Sequence, residues 1–363
     1  MLQSAKHLVI GSTEAYSGKS ATILGIGNHL KASGLDIAYG KPLGTCLSES
    51  DADDIDEDVR FIGRTLKLPE NHLLPTLLSL DSASIARRIS GNDSVDYQSS
   101  LEHYLRLQGS DLALLEGPGT LDEGTLFDLS LGHIVKTLDA PVLLVARFHS
   151  VLTVDALLCA KQRLGNYLIG AVINDIPPDR WDDANTIMRP FLEQQGIPIF
   201  SLLPRSDLLR SVSVGELVNQ LDAEVICCRN RLDLLVESLK IGAMNVNSAL
   251  KYFRKARNMA VVTGGDRTDI QLAALETSTH CLILTGHIGP SATVLSRAED
   301  LEIPILSVDL DTLTTVEIVD RTFGQVRLHE PIKLECIYEM MDEHFDFNRL
   351  MNLLKLELPV AAP

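Results

Sequence analysis

Gly18, Lys19 and Ser20 stand in a row beyond the apolar run Leu8-Val9-Ile10 and ahead of a helical pattern. A lysine and a hydroxyl at such a strand-to-helix turn suit a polyphosphate, because the turn aims backbone N–H groups and a helix N-terminus into one concavity. In that reading Lys19 reaches the β- and γ-phosphates of ATP, the Ser20 hydroxyl ligates Mg2+, and Thr13, Glu14, Ser17 and Gly18 shape the loop. The spacing G-x-x-x-x-G-K-[ST] fails at its first glycine, where Thr13 stands; Gly11 lies two residues early. The motif is degenerate, so residues elsewhere have to complete the site.

Candidates for that completion sit where other apolar runs end. Lys41, in Gly40-Lys-Pro42 after the run 35–39, is a second cation beside the loop. Glu116, in Glu-Gly-Pro-Gly119 after 112–115, can ligate Mg2+ opposite Ser20. Asn174, after 168–173, offers an amide to read a nucleotide base, and Pro204 follows 197–203. Residues 49–58 pack seven carboxylates into ten positions. A run this dense is ordinarily a solvated, self-repelling loop. Its end leads into an amphipathic pattern over 59–66, where a carboxylate at the helix start can join the metal shell, Asp56 ahead of Asp58.

The elements that must position these residues alternate. Apolar runs at 8–10, 35–39, 112–115, 142–145, 168–173 and 197–203 are separated by helix-length segments, the signature of a parallel sheet covered on both faces. Ligands of such sheets bind at the carboxyl ends of the strands, where every candidate above lies. A second alternation follows, with strands expected at 225–227, 259–263, 281–285 and 305–308 and helices at 266–277 and 291–300. A helical stretch over 338–354 and a small-residue tail close the chain. The fold class is therefore α/β: a P-loop NTPase-like parallel sheet over 1–210, a smaller α/β domain over 211–330, and a C-terminal helical extension over 331–363.

Composition bounds the partners. A length of 363 residues with 45% apolar content supports two cores, and a formal charge of −17 argues against nucleic-acid phosphate as the main partner. Six cysteines without C-x-x-C spacing read as buried thiols in a reducing cytoplasm. No apolar run is long enough to suggest export or a membrane span, so the expectation is a soluble cytoplasmic protein.

In the second region a strand pattern runs into Gly264-Gly-Asp-Arg-Thr268. Gly264 and Gly265 permit a tight turn, Asp266 is expected to cap the next helix, and Arg267 can bind an anion or pair with an acid across an interface. Polar loops at Thr285-Gly-His-Ile-Gly-Pro290 and Asp309-Leu-Asp-Thr312 gather along the same sheet edge.

The order Ser12-Thr-x4-Gly-Lys-Ser, Gly40-Lys-Pro, an acid before a helix, Leu115-Glu-Gly-Pro-Gly, Ile173-Asn and Leu203-Pro resembles the dethiobiotin synthetase and cobyrinic acid amide synthetase group of P-loop proteins. The resemblance implies ATP and Mg2+ as cofactors, Lys19 and Ser20 on the phosphates and metal, Glu116 and Asp56 on the metal, Lys41 facing a substrate or the γ-phosphate, and Asn174 with Pro204 at the adenine. One departure bears on the substrate pocket: the synthetases have Gly-Ala-Gly-Gly after the glutamate, where this chain has Gly-Pro-Gly-Thr.

The second region resembles the DRTGG domain, and the pairing is similar to the N-terminal regulatory part of long phosphotransacetylases. That resemblance implies an ATP-binding regulator or sensor with slow ATPase activity, dimerising or binding a second ligand through Gly264 to Thr268, and not an acetyltransferase on its own. Two alternatives stand beside it: an ATP-dependent ligase that activates a carboxylate as an acyl phosphate, with Lys41 and Thr120 facing the substrate, and an interaction scaffold with a vestigial loop.

Overall fold

The computed structural model describes residues 6–44, 56–106, 109–324, 328 and 330–356. They form two compact units, one running to Arg205 and taking back the C-terminal helices, the other spanning Ser206–Leu328. In the first unit the strands are β1 (His7–Ser12), β2 (Ile37–Gly40), β3 (Leu73–Leu74), β4 (Leu112–Glu116), β5 (Val142–Arg147), β6 (Leu168–Ile176) and β7 (Ile199–Pro204). They make one seven-stranded sheet in the order β3-β2-β4-β1-β5-β6-β7, and every pairing is parallel. All six residues of β1 are buried, as an unbroken apolar run requires at the centre of a sheet covered on both faces.

Helix α1 (Lys19–Ala32) leaves the carboxyl end of β1, and α2 (Glu57–Thr65) begins at Asp56, whose side chain accepts from the Asp58 backbone N–H. Neighbouring β1 and β4 send their carboxyl ends, carrying the Lys19 loop and Glu116, to the same edge. That edge is where the candidate site assembles.

The stretch expected as one helix and a separate extension is two helices that belong to the first unit, α4 (Pro331–His344) and α5 (Phe347–Leu354), with α3 assigned below. They break at Phe345 and Asp346 because both are stitched to β7: Phe345 bridges Ser201, and the Asp346 N–H donates to the Phe200 carbonyl at 2.9 Å. The α4 helix lies along α1, where the missing side chain of Gly25 leaves room for the buried Met341.

The second unit has strands β8 (Glu224–Cys227), β9 (Ser238–Ile241), β10 (Met259–Gly264), β11 (Thr279–Thr285) and β12 (Ile305–Val308) in the order β8-β12-β11-β10-β9. Strands β9 to β12 are parallel and β8 is antiparallel. Helix α3 (Thr268–Leu275) follows β10. The four expected strands are present. The fifth, β9, escapes sequence reading because it is an edge strand with half-exposed, mixed residues.

Cys227 and Cys281 are buried, and burial pushes the Cys227 thiol up to about 12, with Cys228 beside it. The expectation of buried thiols fails at Cys159, which is exposed on a helix surface; Cys46 lies outside the described residues.

Met341→Ala removes a side chain only 2% exposed from the α1–α4 seam. The variant is expected to lose about 2 kcal/mol of stability, read as a lower urea midpoint by circular dichroism with an unchanged slope.

Candidate functional site

The loop between β1 and α1 is built for close approach. Gly18 sits at φ 105°, a left-handed conformation that glycine adopts without strain, and a Cβ there would lie 2.4 Å from Asn174 Nδ2. Asn174, at the carboxyl end of β6, donates from that amide nitrogen to the Ser17 carbonyl at 2.9 Å and accepts on Oδ1 from the Asp175 N–H at 2.8 Å. The amide nitrogen thus pins the loop to β6, and its second N–H is the donor left for the expected base-reading role.

Lys19 opens α1 at 8% exposure and donates to Ser12 Oγ at 3.0 Å; Ser12 in turn donates to the Gly119 carbonyl at 2.9 Å. A chain of two hydrogen bonds therefore ties the helix start to the loop after β4. Ser17 Oγ, buried in the same loop, has no hydrogen-bond partner among the described residues. Thr13 and Glu14 line the more open side, where His149 Nε2 lies 2.7 Å from Glu14 Oε1.

Glu116 ends β4 at 5% exposure and takes one hydroxyl on each oxygen: Ser20 Oγ donates to Oε1 at 3.2 Å, and the phenol of the fully buried Tyr39 donates to Oε2 at 3.0 Å. Burial first, then the charges of Glu116 and Asp58, push the Tyr39 pKa far up, so the phenol stays protonated. Lys41 meets Asp58 at 2.5 Å and Asp56 at 3.5 Å. Asp56 is fully buried, and its backbone N–H donates to Thr76 Oγ1 at 3.3 Å. Lys19, Ser20, Lys41, Asp56 and Glu116 are accordingly parts of one cluster. The rest of the acidic run, 49–55, lies outside the described residues.

The two lysines differ in kind. Burial lowers the Lys19 pKa; Glu116 opposes that and the like charge of Lys41 adds to it. Burial also acts to lower Lys41, but Glu116, Asp58 and Asp56 outweigh it and the pKa rises. Among the described residues Lys41 has direct carboxylate partners, whereas Lys19 bonds a neutral hydroxyl.

At the far end of the sheet edge Pro204 closes β7 opposite Ile176, three strands from β1. A feature that sequence reading missed stands next to it. Asp175, at φ 62° and 8% exposed, accepts from Arg147 Nε on Oδ2 and from Arg205 Nε on Oδ1, both at 2.9 Å. The three residues come from the ends of adjacent strands, a pairing that separation in sequence conceals.

In the second unit the Gly264-Thr268 turn is closed by the Arg267 N–H donating to the Gly264 carbonyl at 3.1 Å, so α3 starts only at Thr268. Asp266 therefore falls one residue short of the cap position expected for it, which Arg267 occupies without a side-chain cap. Gly265 is required by close approach, since a Cβ there would lie 2.0 Å from the Ile288 carbonyl oxygen. Gln271 donates to the Gly264 and Gly265 carbonyls at 2.9 and 3.1 Å. Arg267 spends its donors on Asp269 and on the Met244 carbonyl instead of reaching outward.

Residues 6–213 match the family described as AAA domain. The chain belongs to that AAA domain family. Directly after this AAA domain, residues 216–322 match the DRTGG domain. Phosphate acetyltransferase of Nitratidesulfovibrio vulgaris is 26% identical over 95% of this chain and 51% of its own length. The chain thus spans about half the length of the curated relatives it matches. ATP-dependent dethiobiotin synthetase BioD of Bacillus subtilis subsp. natto is 23% identical over 54% of this chain and 86% of its own. The regulatory CBS and DRTGG region of Clostridium perfringens pyrophosphatase, solved with diadenosine tetraphosphate, covers 44% of this chain and 82% of its own at 18% identity and a TM-score of 0.29. The AAA and DRTGG pairing and the likeness to phosphotransacetylases and dethiobiotin synthetase agree with the resemblances drawn from the motifs.

The Lys19 environment has a measurable signature. A folded-state pKa lowered below the unfolded value means the folded chain holds that proton less tightly, so the cost is present at neutral pH and fades as pH rises toward the ordinary lysine range. Lys19→Met without ligand is expected to be more stable than the native chain by on the order of 1 kcal/mol at pH 7. Denaturant titrations at increasing pH should show that gap closing in the alkaline range.

Proposed function

We propose that the first unit binds ATP with Mg2+ and that the protein is a regulatory sensor of the kind joined to phosphate acetyltransferases, with slow ATP hydrolysis. The observation that carries this reading is the buried Lys19 ammonium, which among the described residues bonds the neutral Ser12 hydroxyl and no carboxylate, beside the Ser17 hydroxyl that has no partner among them. A buried cation without a carboxylate is costly, and a phosphate oxygen is the partner that supplies the missing charge.

Lys19 binds the β- and γ-phosphates, and Ser17 and the N–H groups around Gly18 line the cradle. Ser20, Glu116 and Asp56 are hard oxygen donors that suit Mg2+, which supplies charge neutralisation across the phosphates. Among the described residues no group of three His, Cys, Asp or Glu is arranged to hold a metal by itself, so phosphate oxygens and water complete the shell. Lys41, saturated by Asp56 and Asp58, faces the γ-phosphate end. The adenine lies toward Pro204, beyond the loop that Asn174 pins. What these residues supply is positioning and charge, which supports binding with slow turnover.

Cys227 and Cys281 are buried as thiols, the state a reducing cytoplasm keeps, which supports a cytoplasmic setting. In the second unit the exposed side chains of Ile241, Ile288 and Leu313 follow β9, β11 and β12 at the carboxyl edge, and they support dimerisation through that domain.

Calorimetric titration of ATP tests the first claim: the native chain should bind more tightly with Mg2+ than in chelator, and Lys19→Ala should lose binding by at least tenfold, about 1.4 kcal/mol or more. An absence of heat from the native chain sinks the sensor reading. Light scattering at micromolar concentration should return twice the chain mass, and Leu313→Asp should shift it toward one; a native monomer overturns the dimer.

A further inference from the structure

We propose that Tyr39 is a positioning residue for the metal: its phenol holds the Glu116 carboxylate in the orientation that, with Ser20, presents oxygen to a divalent cation. The inference rests on the ATP and Mg2+ reading above and deepens it.

The geometry starts in the sheet. Tyr39 pairs with Leu114 in the parallel β2–β4 ladder, and Glu116 stands two residues further along β4. Paired residues of a ladder share a face and side chains alternate with a period of two, so Tyr39 and Glu116 project from the same face as diagonal neighbours. Tyr39 is fully buried, and a phenylalanine would satisfy the packing there as well. What the hydroxyl adds is one bond, to Glu116 Oε2 at 3.0 Å.

That bond is the one that can persist. The terminal torsion of a glutamate is broad and nearly two-fold, so an untethered carboxylate would be free to turn toward Lys41, whose charge it already feels. Ser20 holds Oε1 at 3.2 Å, but the same hydroxyl oxygen is the proposed metal ligand, so its bond to Glu116 competes with coordination. Tyr39 reaches neither phosphate nor metal in this scheme and can hold Oε2 throughout. It acts through Glu116, as partners of ligating carboxylates do elsewhere.

The test uses the full chain loaded with ATP and Mn2+ as the probe, with bound metal read from the loss of the free-ion electron paramagnetic resonance signal. Tyr39→Phe should weaken Mn2+ binding on the order of tenfold while leaving ATP affinity in chelator unchanged and the chain folded by circular dichroism. In a Glu116→Ala background the same substitution should change nothing further. Native-like Mn2+ affinity in Tyr39→Phe overturns the inference. So does an equal loss in the Glu116→Ala background, or a parallel fall in metal-free ATP binding, since each separates Tyr39 from Glu116. If the native chain binds ATP but gains nothing from the metal, the Mg2+ part of the parent reading falls and this inference with it; if the native chain responds and only Tyr39→Phe fails to differ, the parent reading stands alone.

Discussion

A lysine ammonium buried against a neutral hydroxyl is the constraint around which the first unit is organised. Lys19 stands at the head of α1 with Ser12 as its bonded neighbour. Burial of a charge on these terms is unfavourable unless its surroundings are fixed and a ligand later completes them. Both conditions shape the neighbourhood. Ser12 passes the bond on to Gly119, which locks the loop after β4 to the end of β1, and Asn174 holds the other side of the phosphate loop from β6. The central strand, its two flanking loops and the first helix are thereby braced around one unsatisfied charge.

The opposite case lies close by. Lys41 is just as deeply buried, yet its pKa rises, because Asp58 and Asp56 touch it and Glu116 acts on it. One cation is held in reserve for an anion and the other is neutralised by the chain itself. Glu116 mediates between them, opposing the desolvation of Lys19 and Lys41 alike while its two oxygens are occupied by hydroxyls from α1 and β2. A carboxylate in that position acts on the charge of both lysines at once.

Much of this was legible in order along the chain and little of it in detail. The apolar runs at 8–10 and 112–115 stand out because strands buried on both faces need no alternation, and the polar residues that end them are exposed by the geometry of any parallel sheet. Lys19, Ser20, Lys41, Asp56 and Glu116 could therefore be nominated together. Tyr39 could not, because a tyrosine inside an apolar run looks like packing until a carboxylate from another strand is found against its hydroxyl. The Asn174 contact with the loop is hidden for a related reason, since its amide meets a carbonyl 157 residues away in sequence. Asp266 was misplaced by a single residue, since the turn closed by Arg267 delays the helix, and local capping preferences do not register that closure. The division of the C-terminal helices at Phe345 is likewise tertiary, set by pairing to β7 and not by the local pattern.

The same physics bears on the proposed ATP site, and on whether ATP there would act as fuel or as a signal. A site tuned for turnover has to stabilise charge that develops during transfer and to orient an attacking group. The groups seen here already have partners within the chain: both Glu116 oxygens accept hydroxyls, Lys41 meets two carboxylates, and the Asn174 amide holds the loop. Lys19 and Ser17 are the polar groups left wanting, and both concern the standing charge of a polyphosphate. A site whose unmet demands are satisfied by binding alone gains most of its free energy at that step. That distribution is the one the proposed sensor reading requires.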